Sequence, residues 1–254
     1  MNIIVCAKQV VDVSEMKVDS STKKPILKGV AQKISDIDKN AIEEAIKIKD
    51  KNGGKITVLT IGPSDAKERI KELLAMGADE GVLVVAPDNI DYHMTATLLA
   101  QAIKKIGEYD MILCGEASVD LFSGQIGPRL AGLLNIPQIT YAMTVTAEKD
   151  KVVADRNMGD TVVTSESNYP VLITVTKEIN EARLPSLMQI LGAANKPINE
   201  WTADSLAKDI SPMVETVDLK GVSMERKNVI YQNDLDESVK QLVDSLAKEG
   251  VLGG

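Results

Sequence analysis

The chain has 254 residues, 44% hydrophobic and 26% charged, the composition of a soluble globular protein with room for one large core and an appendage. A net charge of −8 and an aromatic share of 3% exclude a nucleic-acid partner, which needs clustered Lys and Arg and stacking rings. Cys6 and Cys114 lack metal or redox spacing, no run approaches the ~18 apolar residues of a transmembrane segment, and the first residues carry no signal-peptide pattern; a cytoplasmic protein with reduced thiols is expected.

Residues 2–7 are β-branched and apolar on both faces, the pattern of a buried parallel strand. Residues 12–32 alternate short strand-like pieces with Asp, Ser, Gly and Pro and predict an excursion, at most a small hairpin. Ser35 then offers a capping oxygen to a helix whose apolar positions Ile37, Ala41, Ile42, Ala45, Ile46 and Ile48 recur at helical spacing and end before Gly53. On that helix Glu43 and Glu44 diverge by roughly 100° around the axis, so they read as a solvated face and not as an acid/base pair.

A strand at 55–61, a helix at 66–76 stopped by Gly77, a strand at 82–86, a helix from Asp91 through Ile106 and a strand at 111–114 follow. Such alternation over the first ~140 residues predicts an α/β, Rossmann-like, doubly wound and mostly parallel sheet with helices on both faces. After Pro137 the pattern changes to strands at 139–146, 151–154, 161–164 and 171–175, an antiparallel or mixed extension. The nucleotide-type domain is expected to cover 1–197, with a polar, proline-bearing loop at about 177–193. Beyond it, 198–230 reads as a long arm and 234–249 as a helix with Leu235, Val239, Leu242, Val243 and Leu246 on one face. That part, 198–254, is expected to pack on a partner subunit.

Catalytic machinery is thin. The only histidine, His93, has no paired nucleophile or metal-ligand spacing around it, so neither catalytic residues nor a metal are expected. The informative stretch is 115–129, placed after a strand and before a predicted helix at 129–134. Open parallel sheets bind ligands outside the carboxyl ends of their strands, where helix N-termini present free N–H groups to phosphate. Ser123, Gly124 and Gln125 offer backbone donors, a hydroxyl and an amide, Gly124 permits close approach, and Asp120 can accept from a ribose hydroxyl. The loop matches neither G-x-G-x-x-G nor G-x-x-x-x-G-K-[ST], so spacing alone favours a plain tight turn over a nucleotide site.

Four pieces read together resemble the β (small) subunit of an electron-transfer flavoprotein. They are Ile3-Ile4-Val5-Cys6-Ala7-Lys8-Gln9-Val10-Val11-Asp12, Asp38-Lys39-Asn40-Ala41-Ile42-Glu43-Glu44-Ala45, Ala75-Met76-Gly77-Ala78-Asp79 and Gln125-Ile126-Gly127-Pro128. A fifth, Thr174-Val175-Thr176-Lys177-Glu178-Ile179-Asn180-Glu181-Ala182-Arg183-Leu184-Pro185-Ser186-Leu187-Met188, is similar to the family's most diagnostic segment.

The resemblance implies a heterodimer with an α subunit that holds the redox FAD, takes electrons from dehydrogenases and passes them to a quinone reductase or another acceptor. It implies a buried adenine nucleotide in this subunit, AMP or, in bifurcating members whose flavin is reduced by NADH, a second FAD. The contacts carried over are Cys6, Ala7, Ser35, Asp36, Ile37, Asp38, Ile61, Gly115, Val119, Asp120, Phe122, Ser123, Gly124, Gln125 and Ile126. Lys8-Gln9-Val10-Val11-Asp12, Glu15-Met16-Lys17-Val18-Asp19 and Asn199-Glu200-Trp201-Thr202 look more like the bifurcating set. Leu184, Pro185, Leu187 and Met188 correspond to a recognition loop whose exposed leucine docks on a dehydrogenase; the competing expectation places Leu184 and Leu187 in the core.

The sequence departs from the family pattern at Ser35-Asp36, where Asn-Pro is common, and at Asp120-Leu121-Phe122-Ser123-Gly124-Gln125, where Asp-Gly-Asp-Thr-Ala-Gln is common. These changes alter how the loop meets phosphate or ribose and leave binding by backbone amides intact. Two further readings use the same elements. One is a free-standing module of the universal-stress type that binds AMP or ATP. The other is an ATP-dependent ligase or transferase, for which Lys8 and Arg129 are the obvious phosphate clamps.

Overall fold

The computed structural model describes residues 1–87, 90–221 and 227–252. They fall into two compact units, Met1–Lys17 with Pro25–Leu219, and Val18–Lys24 with Lys220–Gly254.

The first unit is built on β1 (Asn2–Cys6), β2 (Gln9–Val11), β5 (Gln32–Ile34), α1 (Asp36–Asn52), β6 (Lys55–Gly62), α2 (Lys67–Met76), β7 (Glu80–Val85), α3 (Tyr92–Ile106) and β8 (Met111–Gly115); of the short strands between β2 and β5, β4 (Pro25–Ile26) belongs to it and β3 (Lys17–Val18) falls on its boundary. It continues through α4 (Ile126–Leu134), β9 (Gln138–Ala147), β10 (Lys151–Asn157), β11 (Val162–Asn168), β12 (Val171–Val175), α5 (Leu187–Ala193), β13 (Ile198–Thr202) and α6 (Ala203–Leu206). Nine described strands form one sheet in the order β11-β10-β9-β12-β8-β1-β6-β7-β13. All neighbours from β9 to β13 in that order pair in parallel, while β10 is antiparallel to both β9 and β11. The expected mixed extension is present, with β12 inserted between β8 and β9.

Burial on both faces explains the continuous apolar strands. Alternate residues of β1 serve different layers: Ile3 and Val5 pack with Ile42, Ala45 and Leu73 of α1 and α2, whereas Ile4 and Cys6 pack with Leu99, Ile103 and Leu130 of α3 and α4. Each large apolar side chain removed from water in this way contributes roughly 1.5–3 kcal/mol. The winding is therefore double: the chain runs outward through β6 and β7, then crosses by α3 to β8 on the other side of β1. The resulting switch between β1 and β8 opens a crevice at the strands' carboxyl ends.

Three local readings change. Helix α4 begins at Ile126, not at 129, which puts Pro128 in the first turn, where its missing N–H costs no intrahelical bond. The predicted excursion closes by antiparallel pairing of β2 with β5. The expected arm opens with β13, which pairs in parallel with β7; its half-exposed Ile198-Asn199-Glu200-Trp201-Thr202 edge lacks the apolar run that would have announced a strand.

In the second unit, α7 (Leu235–Lys248) starts at Asp234, whose carboxylate accepts from the Glu237 N–H at 3.1 Å, and Tyr231 donates to Ser245 Oγ at 2.6 Å. Its apolar residues Leu235, Val239, Leu242 and Val243 remain exposed. Residues 222–226 of the expected arm, with 253 and 254, lie outside the described residues. Among the described residues no helix is long and apolar enough to cross a membrane.

Candidate nucleotide and docking sites

The crevice above β1, β6 and β8 is a cleft of about 750 Å³. Ten of the expected contact residues line it: Cys6, Ala7, Asp38, Ile61, Gly115, Asp120, Ser123, Gly124, Gln125 and Ile126. Its floor is apolar, made by Cys6, Leu59, Leu99 and Cys114, and one wall is the loop that leads into α4. Gly124, at φ +63°, takes the left-handed turn that brings this loop around. The side chain of Gln125 does not cap α4, because its Oε1 accepts from Arg129 Nε at 2.9 Å. The N–H groups of Ile126 and Gly127 consequently have no partner among the described residues, and both residues border the cleft.

Of the remaining expected contacts, Ser35, Ile37 and Val119 support the cleft from behind. Ser35 occupies the N-cap position of α1, but its hydroxyl caps nothing there and instead accepts from the Val119 N–H at 3.3 Å, fastening the loop to the helix. Ile37 is buried against Gly115, where an added Cβ would lie 3.0 Å from Ile37 Cγ2 and 2.7 Å from Asp38 Oδ1. Asp36 pairs with Lys33 at 3.0 Å. Phe122 does not line the cleft; it sits at φ +48° and is 66% exposed.

Two carboxylates organise the charge. Asp38 is buried and bridges the ends of β1 and β8, accepting from the Lys8 N–H at 2.9 Å and the Gly115 N–H at 3.0 Å. Burial pushes its pKa from the ordinary 3.8 to about 7, against the pull of those two amides and of the Lys8 ammonium. Burial likewise pushes the Cys6 thiol up to about 12, with Asp38 adding to the effect, and raises Cys114 well above the ordinary thiol range; both stay protonated and act as small apolar groups. Asp120 holds the Lys8 ammonium through both oxygens, at 2.9 and 2.7 Å. Lys8 is the one Lys or Arg among the described lining residues, against Asp38, Asp65, Asp91, Glu116 and Asp120. The cleft also includes Pro63, Tyr92 and Thr95, which sequence reading missed. They follow the carboxyl ends of β6 and β7, so applying the strand-end rule to every crossover would have found them.

The second expected site is the segment around Leu184. Leu184, Leu187 and Met188 are 93%, 71% and 76% exposed, which overturns their placement in the core. Pro185 is half-buried beside them, and a groove of about 460 Å³ runs between this segment and α2, lined by Arg69, Met76, Leu184, Pro185 and Ile190. The expected solvated face at Glu43 and Glu44 is also corrected, because both are buried. Glu43 accepts from Arg183 Nε at 2.7 Å, from its second guanidinium nitrogen at 2.9 Å and from its N–H at 3.2 Å. Glu44 accepts from Asn180 Nδ2 at 3.0 Å. Neighbours on a helix do diverge, but here the chain returns to cover both directions.

A family model described as the electron transfer flavoprotein domain matches residues 26–206. The chain is 39% identical, over 99% of its length and 100% of the relative's, to the electron transfer flavoprotein subunit beta of Thermoanaerobacterium thermosaccharolyticum. It is 38% identical over 81% of its length to the caffeyl-CoA reductase-Etf complex subunit CarD of Acetobacterium woodii, covering 80% of that protein. It is 32% identical over 99% of its length to the acryloyl-CoA reductase electron transfer subunit gamma of Anaerotignum propionicum, covering 100% of that protein. These matches do not favour the free-standing nucleotide module. With a matching family model over most of its length and a relative aligned from end to end, this chain belongs to the electron transfer flavoprotein family, as a β subunit that serves in electron transfer.

Proposed function

We propose that this β subunit pairs with an FAD-bearing α subunit and holds an adenine nucleotide in the cleft above β1, β6 and β8, as a support for electrons passing from dehydrogenases to a quinone reductase or another acceptor. The observation that carries the nucleotide assignment is the pair of N–H groups on Ile126 and Gly127 that have no partner among the described residues and border an apolar-floored cleft at the sheet's switch point. Two amides at a positive helix end suit a phosphate, and the apolar floor suits an adenine ring. Lys8, the one Lys or Arg among the described lining residues, adds an ammonium already oriented by Asp120. In this role a flavin would supply the redox chemistry and the protein binding and orientation.

The ligand is AMP or the AMP portion of a second FAD. The second of these is favoured by one observation: apolar Val10, Val11, Leu27 and Leu121 also line the cleft and add to its apolar floor. A second flavin there would supply hydride acceptance from NADH and with it electron bifurcation. The chain's own part is to cradle phosphate on α4, to keep Asp38 and both thiols dry, and to present Leu184 to the dehydrogenase. Purifying the complex with its large subunit and identifying the nucleotides released on denaturation tests the proposal. A complex that carries no adenine nucleotide besides the α-subunit FAD overturns it.

A further inference from the structure

Helix α1 serves two sites from one rigid body. Its first turn carries Asp38 to the nucleotide cleft, while Asn40, Glu43 and Glu44, at i, i+3 and i+4 spacing, share another face. All three are polar and buried, which is tolerated only where every polar atom finds a partner. The partners come from far along the chain, 136 and 140 residues away. Asn40 Nδ2 donates to Asn180 O at 2.7 Å and to Asn180 Oδ1 at 3.1 Å, and Asn180 Nδ2 returns a bond to Asn40 O at 3.0 Å and another to Glu44. Glu43 takes the Arg183 guanidinium as a two-pronged fork and the Arg183 backbone N–H as well.

This clamp ends one residue before Leu184, which is almost wholly exposed. Stability alone does not explain it, since the Arg183 side chain is 38% exposed and an ion pair with one solvent-exposed partner has little net worth. A fork joined to a backbone bond fixes direction instead. Direction matters for a single apolar anchor, because a segment that must be ordered on association loses affinity to that ordering.

We infer that Glu43 and Arg183, backed by Asn40, Glu44 and Asn180, are positioning residues that hold Leu184 and the following apolar edge in the direction a partner dehydrogenase requires. The strength of the electron-transfer encounter is then set by an ion pair inside the β subunit. The inference rests on the reading of Leu184 as the docking residue.

The test uses the intact heterodimer as acceptor for an acyl-CoA dehydrogenase that reduces the wild type, with heterodimer concentration varied. Glu43→Gln is expected to raise KM for the heterodimer about tenfold with kcat within about twofold, and to speed hydrogen exchange at 180–190. Arg183→Lys, which keeps the charge and loses the fork, is expected to raise KM in the same direction, and it decides the matter if Glu43→Gln does not fold. The double variant Glu43→Gln/Arg183→Gln should be no worse than its more impaired single variant, as a shared interaction requires. An unchanged KM in both single variants, beside a raised KM in Leu184→Ala, overturns the clamp and leaves the docking residue standing. An unchanged KM in Leu184→Ala overturns the docking reading and the inference with it.

Discussion

Replacing Asp38 by Asn should change how stability depends on pH more than it changes stability itself. In the folded chain the Asp38 pKa is raised to about 7 from the ordinary 3.8, so between those values the folded state holds a proton that the unfolded state has lost. Stability therefore falls as pH rises through this window. From about pH 5 to about pH 8 the loss from this one group is about 3 kcal/mol. An Asn removes the titration, but it turns an NH₂ toward the N–H of either Lys8 or Gly115, both of which donate to the carboxylate, and an unmade buried bond costs about 1–3 kcal/mol. Asp38→Asn should accordingly be less stable than wild type near pH 5, with the gap closing or reversing by about pH 8. Urea unfolding of the purified heterodimer at stepped pH reads the difference between the two midpoints. A gap that stays constant across the range would refute the placement of a dry, proton-holding carboxylate between β1 and β8.

Gly127→Ala places a Cβ 2.4 Å from Thr174 Cγ2, a β-branched neighbour with little freedom to move. A loss of about 1–3 kcal/mol is expected in urea unfolding, together with weaker nucleotide retention as the start of α4 shifts. Lys8→Met removes a partly exposed pair with Asp120, so the stability cost should stay under about 1 kcal/mol. Isothermal titration with AMP should nevertheless show affinity reduced about tenfold, because the one Lys or Arg among the described lining residues is gone. Leu184→Ala should leave the unfolding midpoint within about 0.5 kcal/mol of wild type. Leu73→Ala, fully buried between α2 and the sheet, should lose about 2–5 kcal/mol.

Much of the fold was legible because the apolar periodicities are strong: β1, β6, β7 and β8 are buried on both faces and the helices between them end at Gly53, Gly77 and Gly107. What was not legible depends on distant chain. Ser35 looks like a cap, yet Val119, 84 residues away, claims its hydroxyl. Glu43 and Glu44 look solvated because their partners, Arg183 and Asn180, lie 140 and 136 residues away. Strand β13 is written in polar residues because, among the described residues, one side of it faces no further strand. The candidate site followed a similar division. The strand-end rule and family resemblance reached Cys6, Asp38 and the loop 115–126, whereas Phe122 was included by position in a motif and stands outside the cleft. The exposure of Leu184 could not be read from its own neighbours, since an apolar residue among polar ones is as common in a core segment as on a docking loop.

The central claim, that the cleft beneath α4 seats an adenine nucleotide, is tested most directly by denaturing the purified heterodimer and quantifying every nucleotide released per β subunit. One adenine nucleotide in addition to the α-subunit FAD, as AMP or as a second FAD, is the expected result. A complex active in electron transfer that releases a single FAD and no other nucleotide would contradict it.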